Sequence, residues 1–103
     1  MTELLEKINA LISAPTGDRE TIERTLTDGY AYALSLEAEK WRLEKRISEV
    51  AQGLQRGDTA KKARELATLA KRIDGNVDDL AQLRAVLVDL RRQLDASRVA
   101  AAR

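Results

Sequence analysis

From Leu66 onward, apolar residues recur every seven positions: Leu66, Ile73, Leu80, Leu87 and Leu94. A second set follows three residues after each, at Leu69, Leu83 and Leu90, with Asn76 in the one polar place. This is an a/d heptad, the pattern of a helix that buries one narrow stripe against another helix. The same repeat runs through the preceding segment. There Leu26, Ala33, Lys40, Ile47 and Leu54 take a positions, and Ile22, Gly29, Leu36, Leu43 and Val50 take d positions. No segment alternates with the period of two that marks a half-buried strand, so the fold class is all-α.

Three helices follow from where the pattern starts and stops. The first spans about 2–13, with Thr2 as its candidate N-cap and Leu4, Leu5, Ile8, Leu11 and Ile12 as its apolar stripe. Pro15 and Gly17 end it. Asp18 caps a second helix of about 19–55, with Glu20 and Glu23 near its positive end. A turn at about 56–58 follows, where Gly57 can adopt a left-handed C-cap and Asp58 or Thr59 can cap the next helix. The third helix runs from about 59 to 98, and the Ala100–Arg103 tail is expected to fray.

Asp74-Gly75-Asn76 resembles a turn, yet the heptad keeps its phase across it. A loop does not advance by 100° per residue, so the third helix is expected to continue, with Gly75 on its outer face. Two helices of matched length around one turn make an antiparallel hairpin, each arm roughly 55–60 Å long. Reversal near Asp58 pairs residues whose numbers sum to about 116, such as Val50 with Leu66, Leu43 with Ile73 and Gly29 with Leu87. In that register Lys40 falls opposite Asn76, a candidate polar layer that penalises shifted pairings. The short first helix is expected to pack at the open end, away from the turn.

The second helix carries more apolar surface than one seam uses. Tyr30, Leu34 and Trp41 fall at e and b positions and form a candidate interaction face, while Val77, Val86 and Val88 widen the stripe of the third helix. Packing of the first helix and assembly of a homodimeric helical bundle are the two ways to cover them.

Composition narrows the chemistry. The 103 residues form one domain, with no Cys and no His, which removes the usual zinc, haem and thiol or imidazole chemistry. Glu37, Glu39 and Glu44 read as a solvated face, and no cofactor, metal or small-molecule substrate is expected. The acidic start and the lack of any long apolar run point to a chain that stays out of the membrane, in the cytoplasm. Charge is uneven: residues 40–72 carry ten basic and four acidic groups, residues 1–39 three and eight, and residues 73–103 five of each. Arg56, Lys61, Lys62 and Arg64 therefore make a candidate basic tip. Arg56-Gly57-Asp58 matches a cell-adhesion tripeptide, but Gly-Asp belongs in such a turn on conformational grounds.

In size and form the hairpin resembles the small secreted helical hairpins of the WXG type. Their Trp-x-Gly turn is absent here, where Trp41 lies mid-helix and the turn reads Gln55-Arg56-Gly57-Asp58. A basic-tipped arm is also similar in general form to the tRNA-binding arm of seryl-tRNA synthetases. The expected function is that of a non-enzymatic interaction protein: a scaffold, adaptor or regulator that dimerises with itself. The alternative is a nucleic-acid-associated protein that uses the basic tip.

Overall fold

The computed structural model describes residues 1–14 and 18–102, the last two through their backbone alone. Helix α1 spans Thr2–Ser13, α2 spans Arg19–Gly53 and α3 spans Thr59–Ala102, with a 3-10 turn at Leu54–Arg56. Among the described residues there is no strand, and the fold is an all-α helical hairpin with a short N-terminal helix. Pro15, Thr16 and Gly17, read above as the stop of α1, lie outside the described residues.

The ends of the helices differ from expectation in small, explicable ways. Met1, not Thr2, holds the N-cap position of α1, and its carbonyl accepts from Leu5 N at 3.0 Å. Asp18 does start α2: its carboxylate accepts from Glu20 N and from Thr21 Oγ1, and its carbonyl accepts from Ile22 N. The α-helical ladder of α2 stops at Gly53, two residues early, because the last turn tightens into the 3-10 form. Gly57 (φ 102°) and Asp58 (φ 57°) then reverse the chain. Glycine accepts such a φ without penalty, and aspartate tolerates it better than most residues. Helix α3 continues to Ala102, beyond the fraying expected from Ala100. It also runs unbroken through Asp74-Gly75-Asn76.

The chain divides into two compact units: an open-end unit of Met1–Leu34 with Ala81–Arg103, and a turn-end unit of Ser35–Leu80. In the turn-end unit Leu43, Val50 and Leu69 are buried, with Ile47, Leu66 and Ile73 packed against them. These six residues are the layers Leu43–Ile73, Ile47–Leu69 and Val50–Leu66 of the register read from the heptads. In the open-end unit, Ile8 of α1 joins Ile22, Leu26, Leu83, Leu87, Leu90 and Leu94 in the core. There a Cβ on Gly29 would collide with Leu87 Cδ2, so the missing side chain is what lets the Leu87 side chain enter. Gly29 with Leu87 is again a pair of that register.

Candidate interaction surfaces

An antiparallel pair of helices has two flanks beside its seam. One is lined by residues that precede a positions, the other by residues that follow d positions, and ion pairs identify which is which. In the turn-end unit Arg46 binds Glu65 at 2.8 Å and Arg72 binds Glu39 at 3.7 Å; all four precede a positions. Glu65 also accepts from Arg46 Nε at 2.9 Å, and this bond holds the guanidinium above its usual pKa. In the open-end unit Arg98 binds Glu23 at 3.3 Å, a pair in which both residues follow d positions.

Helix α1 meets the first flank, although Tyr32, which precedes Ala33 there, stays exposed. Thr25, which precedes Leu26, is 0 % exposed, a degree of burial that a two-helix flank alone does not provide. Gln93, which precedes Leu94, donates from Nε2 to the carbonyls of Leu11 at 2.7 Å and Ala14 at 3.3 Å. Both carbonyls lie at the C-terminal end of α1, where Leu11 O also accepts from Ala14 N at 3.3 Å, so Gln93 adds to the cap of that helix and fixes where it sits. The sequence gives no hint of this contact beyond a polar residue beside the stripe.

The second flank of the open-end unit stays uncovered. Tyr30 is exposed, Leu34 is 66 % exposed and Val88 is 50 % exposed. Exposed Ala85 and Ala81 lie one and two turns before Val88 along α3. In the turn-end unit, Trp41 is 64 % exposed and Val77 is exposed as well. Lys45 lies over the Trp41 ring, 5.6 Å from its centre. Packing by α1 therefore does not account for Tyr30, Leu34 and Val88.

The polar pair at the seam takes a different form from side chain facing side chain. Asn76 is buried, 4 % exposed, and its Nδ2 donates to the Leu36 carbonyl at 2.9 Å. Lys40 turns outward, half-buried, toward Glu44 at 3.7 Å. The Leu36 carbonyl is the one that helical geometry assigns to the Lys40 N–H, so Asn76 meets α2 at the Lys40 turn through its backbone. Its own Oδ1 is buried and has no hydrogen-bond partner.

At the tip, the four candidate cations do not act together. Lys62 folds back, and its Nζ donates to the Gly53 carbonyl at the end of α2. It satisfies a helix C-terminus there and is withdrawn from any tip site. Arg56, Lys61 and Arg64 are exposed.

The charge asymmetry of the sequence also changes on folding. The acidic segment 1–34 shares the open-end unit with the arginine-rich segment 81–103, and together they hold eight basic and eight acidic groups. The acidic half is thus neutralised within its own unit.

No group of three or more potential metal ligands occurs among the described residues, and no helix there is long and apolar enough to cross a membrane. No known protein family, curated protein or solved structure matches the chain.

Proposed function

We propose that this chain is a non-enzymatic helical interaction protein that works by coiled-coil packing and assembles as a homodimer in the cytoplasm. The observation that carries this reading is the uncovered flank of the open-end unit, where Tyr30, Leu34 and Val88 remain exposed while α1 occupies the opposite flank. A two-helix flank with large apolar side chains gains stability when another helical surface removes them from water, at roughly 1.5–3 kcal/mol for each such side chain fully buried. A second copy supplies the same flank, so the surface is its own complement and closes as a dimer. Scaffolding or regulation follows from a dimer with long helical arms whose outer faces remain free for a partner.

Light scattering across a dilution series tests the proposal. The scattering mass should correspond to two chains at high micromolar concentration and fall on dilution. A chain that stays monomeric at high micromolar concentration removes the homodimer and, with it, the use assigned to this flank.

A further inference from the structure

Ten basic side chains lie in the turn-end unit, and its ion pairs divide them into two groups. Lys40 pairs with Glu44, Arg46 with Glu49 and Glu65, and Arg72 with Glu39. Lys45 lies over Trp41, and Lys62 is bonded to the Gly53 carbonyl. Among the described residues, Arg42, Arg56, Lys61, Arg64 and Lys71 are left without a carboxylate partner, and all five are exposed.

Three of these form a row. Lys61, Arg64 and Lys71, with Thr68 between the last two, follow helical spacing along the side of α3 that faces away from the seam. Arg56 lies in the 3-10 turn just before that helix begins. The row spans about 15 Å. Between Arg56 and Arg72 the carboxylates are Asp58, exposed in the turn, and Glu65, which Arg46 already holds. The first turn of α3 adds the partial positive charge of a helix N-terminus.

The side chains between the cations decide what kind of anion fits. They are Ala60, Ala67 and Thr68, all exposed and all small. An acidic protein helix docks through an apolar stripe as well as through charge, and this face offers no large apolar side chain. A phosphodiester backbone needs only charge and close approach, and small neighbours permit that approach. With no aromatic in the row, bases have nothing to stack on, so sequence would not be read.

We propose that Arg56, Lys61, Arg64 and Lys71, without Lys62, form a non-specific binding site for a nucleic-acid backbone. The site is separate from the flank assigned to dimerisation and stands or falls independently of it.

The test is fluorescence anisotropy of the full chain with a labelled single-stranded DNA of about 20 nucleotides, titrated at several salt concentrations. Four phosphate contacts give a logarithmic salt slope of about −2.8, or roughly 50-fold weaker binding on going from about 50 to 200 mM salt. Replacing Lys61→Gln together with Arg64→Gln should flatten the slope by about 1.4. Arg91→Gln with Arg92→Gln removes the same charge from the open-end unit and should leave the slope unchanged. Three results overturn the proposal: no binding at about 50 mM salt, equal losses in the two double variants, or binding of an acidic helical peptide where the DNA does not bind.

Discussion

Asn76 on α3 and Leu36 on α2 are tied by a buried hydrogen bond of 2.9 Å, from a side-chain amide to a backbone carbonyl. One half of the amide is satisfied and the other is not, because Asn76 Oδ1 has no donor. A buried acceptor without a partner costs about 1–3 kcal/mol, which a leucine at the same place would not incur. The cost is offset by what it discriminates: here Asn76 lies level with Lys40, whose side chain turns outward to Glu44, whereas a shift of one heptad would set the amide against the apolar side chain of Ala33 or Ile47.

Asn76→Leu should therefore raise stability by about 1–3 kcal/mol in urea unfolding while loosening the specification of register. The expected signature is a higher midpoint with broadened or doubled amide resonances along α2. A lower midpoint would mean that the hydrogen bond to Leu36 outweighs the orphaned oxygen.

Gly75 and Gly29 make a matched pair of helical glycines with opposite surroundings. Nothing lies within 4 Å of a Cβ placed on Gly75, whereas one on Gly29 meets the tip of Leu87. Gly75→Ala should stabilise the chain by about 0.5–1 kcal/mol through helix propensity alone. Gly29→Ala gains the same term but crowds a filled layer, at a cost of about 1–3 kcal/mol, so it should be neutral to destabilising. Thermal unfolding of the two variants checks the contrast, and a stabilised Gly29→Ala protein would show that Leu87 can move aside freely.

The turn depends on backbone conformation rather than contact. Gly57 has φ 102° and ψ 179°, a backbone region that is essentially glycine's alone and not the left-handed helical cap expected from the sequence. Nothing lies within 4 Å of a Cβ placed there, so Gly57→Ala should destabilise by about 1–3 kcal/mol through backbone conformation alone. Asp58→Gly should be tolerated or mildly stabilising, since φ 57° costs glycine nothing. Equal unfolding midpoints for Gly57→Ala and the parent chain would contradict this account of the reversal.

Gln93 offers a direct handle on α1. Losing its bonds to the Leu11 and Ala14 carbonyls through Gln93→Ala should cost about 1–2 kcal/mol and speed hydrogen exchange in α1 more than in α3. Uniform acceleration across all three helices would place the effect in global stability instead.

What the sequence disclosed, and what it did not, follows from how each feature is encoded. The phase of Ile73, Leu80 and Leu87 carries through Gly75, because a heptad counts residues and one weak helix former does not interrupt the count. The register follows from the same count, and the Gly29–Leu87 contact and the Leu43, Val50 and Leu69 cluster both fit it. The partner of Asn76 was not legible, since opposing residue types suggest Lys40 while the bond goes to a backbone carbonyl that every residue possesses. The capping role of Lys62 was hidden for the same reason. The side on which α1 docks was also hidden: its stripe says that it packs, but Thr25 and Gln93 are unremarkable polar residues until α1 is placed over them.

Sedimentation equilibrium on the parent chain beside Leu34→Glu tests the assignment of the open-end flank most directly. Leu34 is exposed in the single chain, so a glutamate there should leave helicity and monomer stability nearly unchanged. The parent chain should sediment as a dimer at high micromolar concentration, and Leu34→Glu as a monomer with the same circular dichroism. A monomeric parent chain, or a Leu34→Glu dimer as tight as the parent, would contradict the flank of Tyr30, Leu34 and Val88 as the dimer surface.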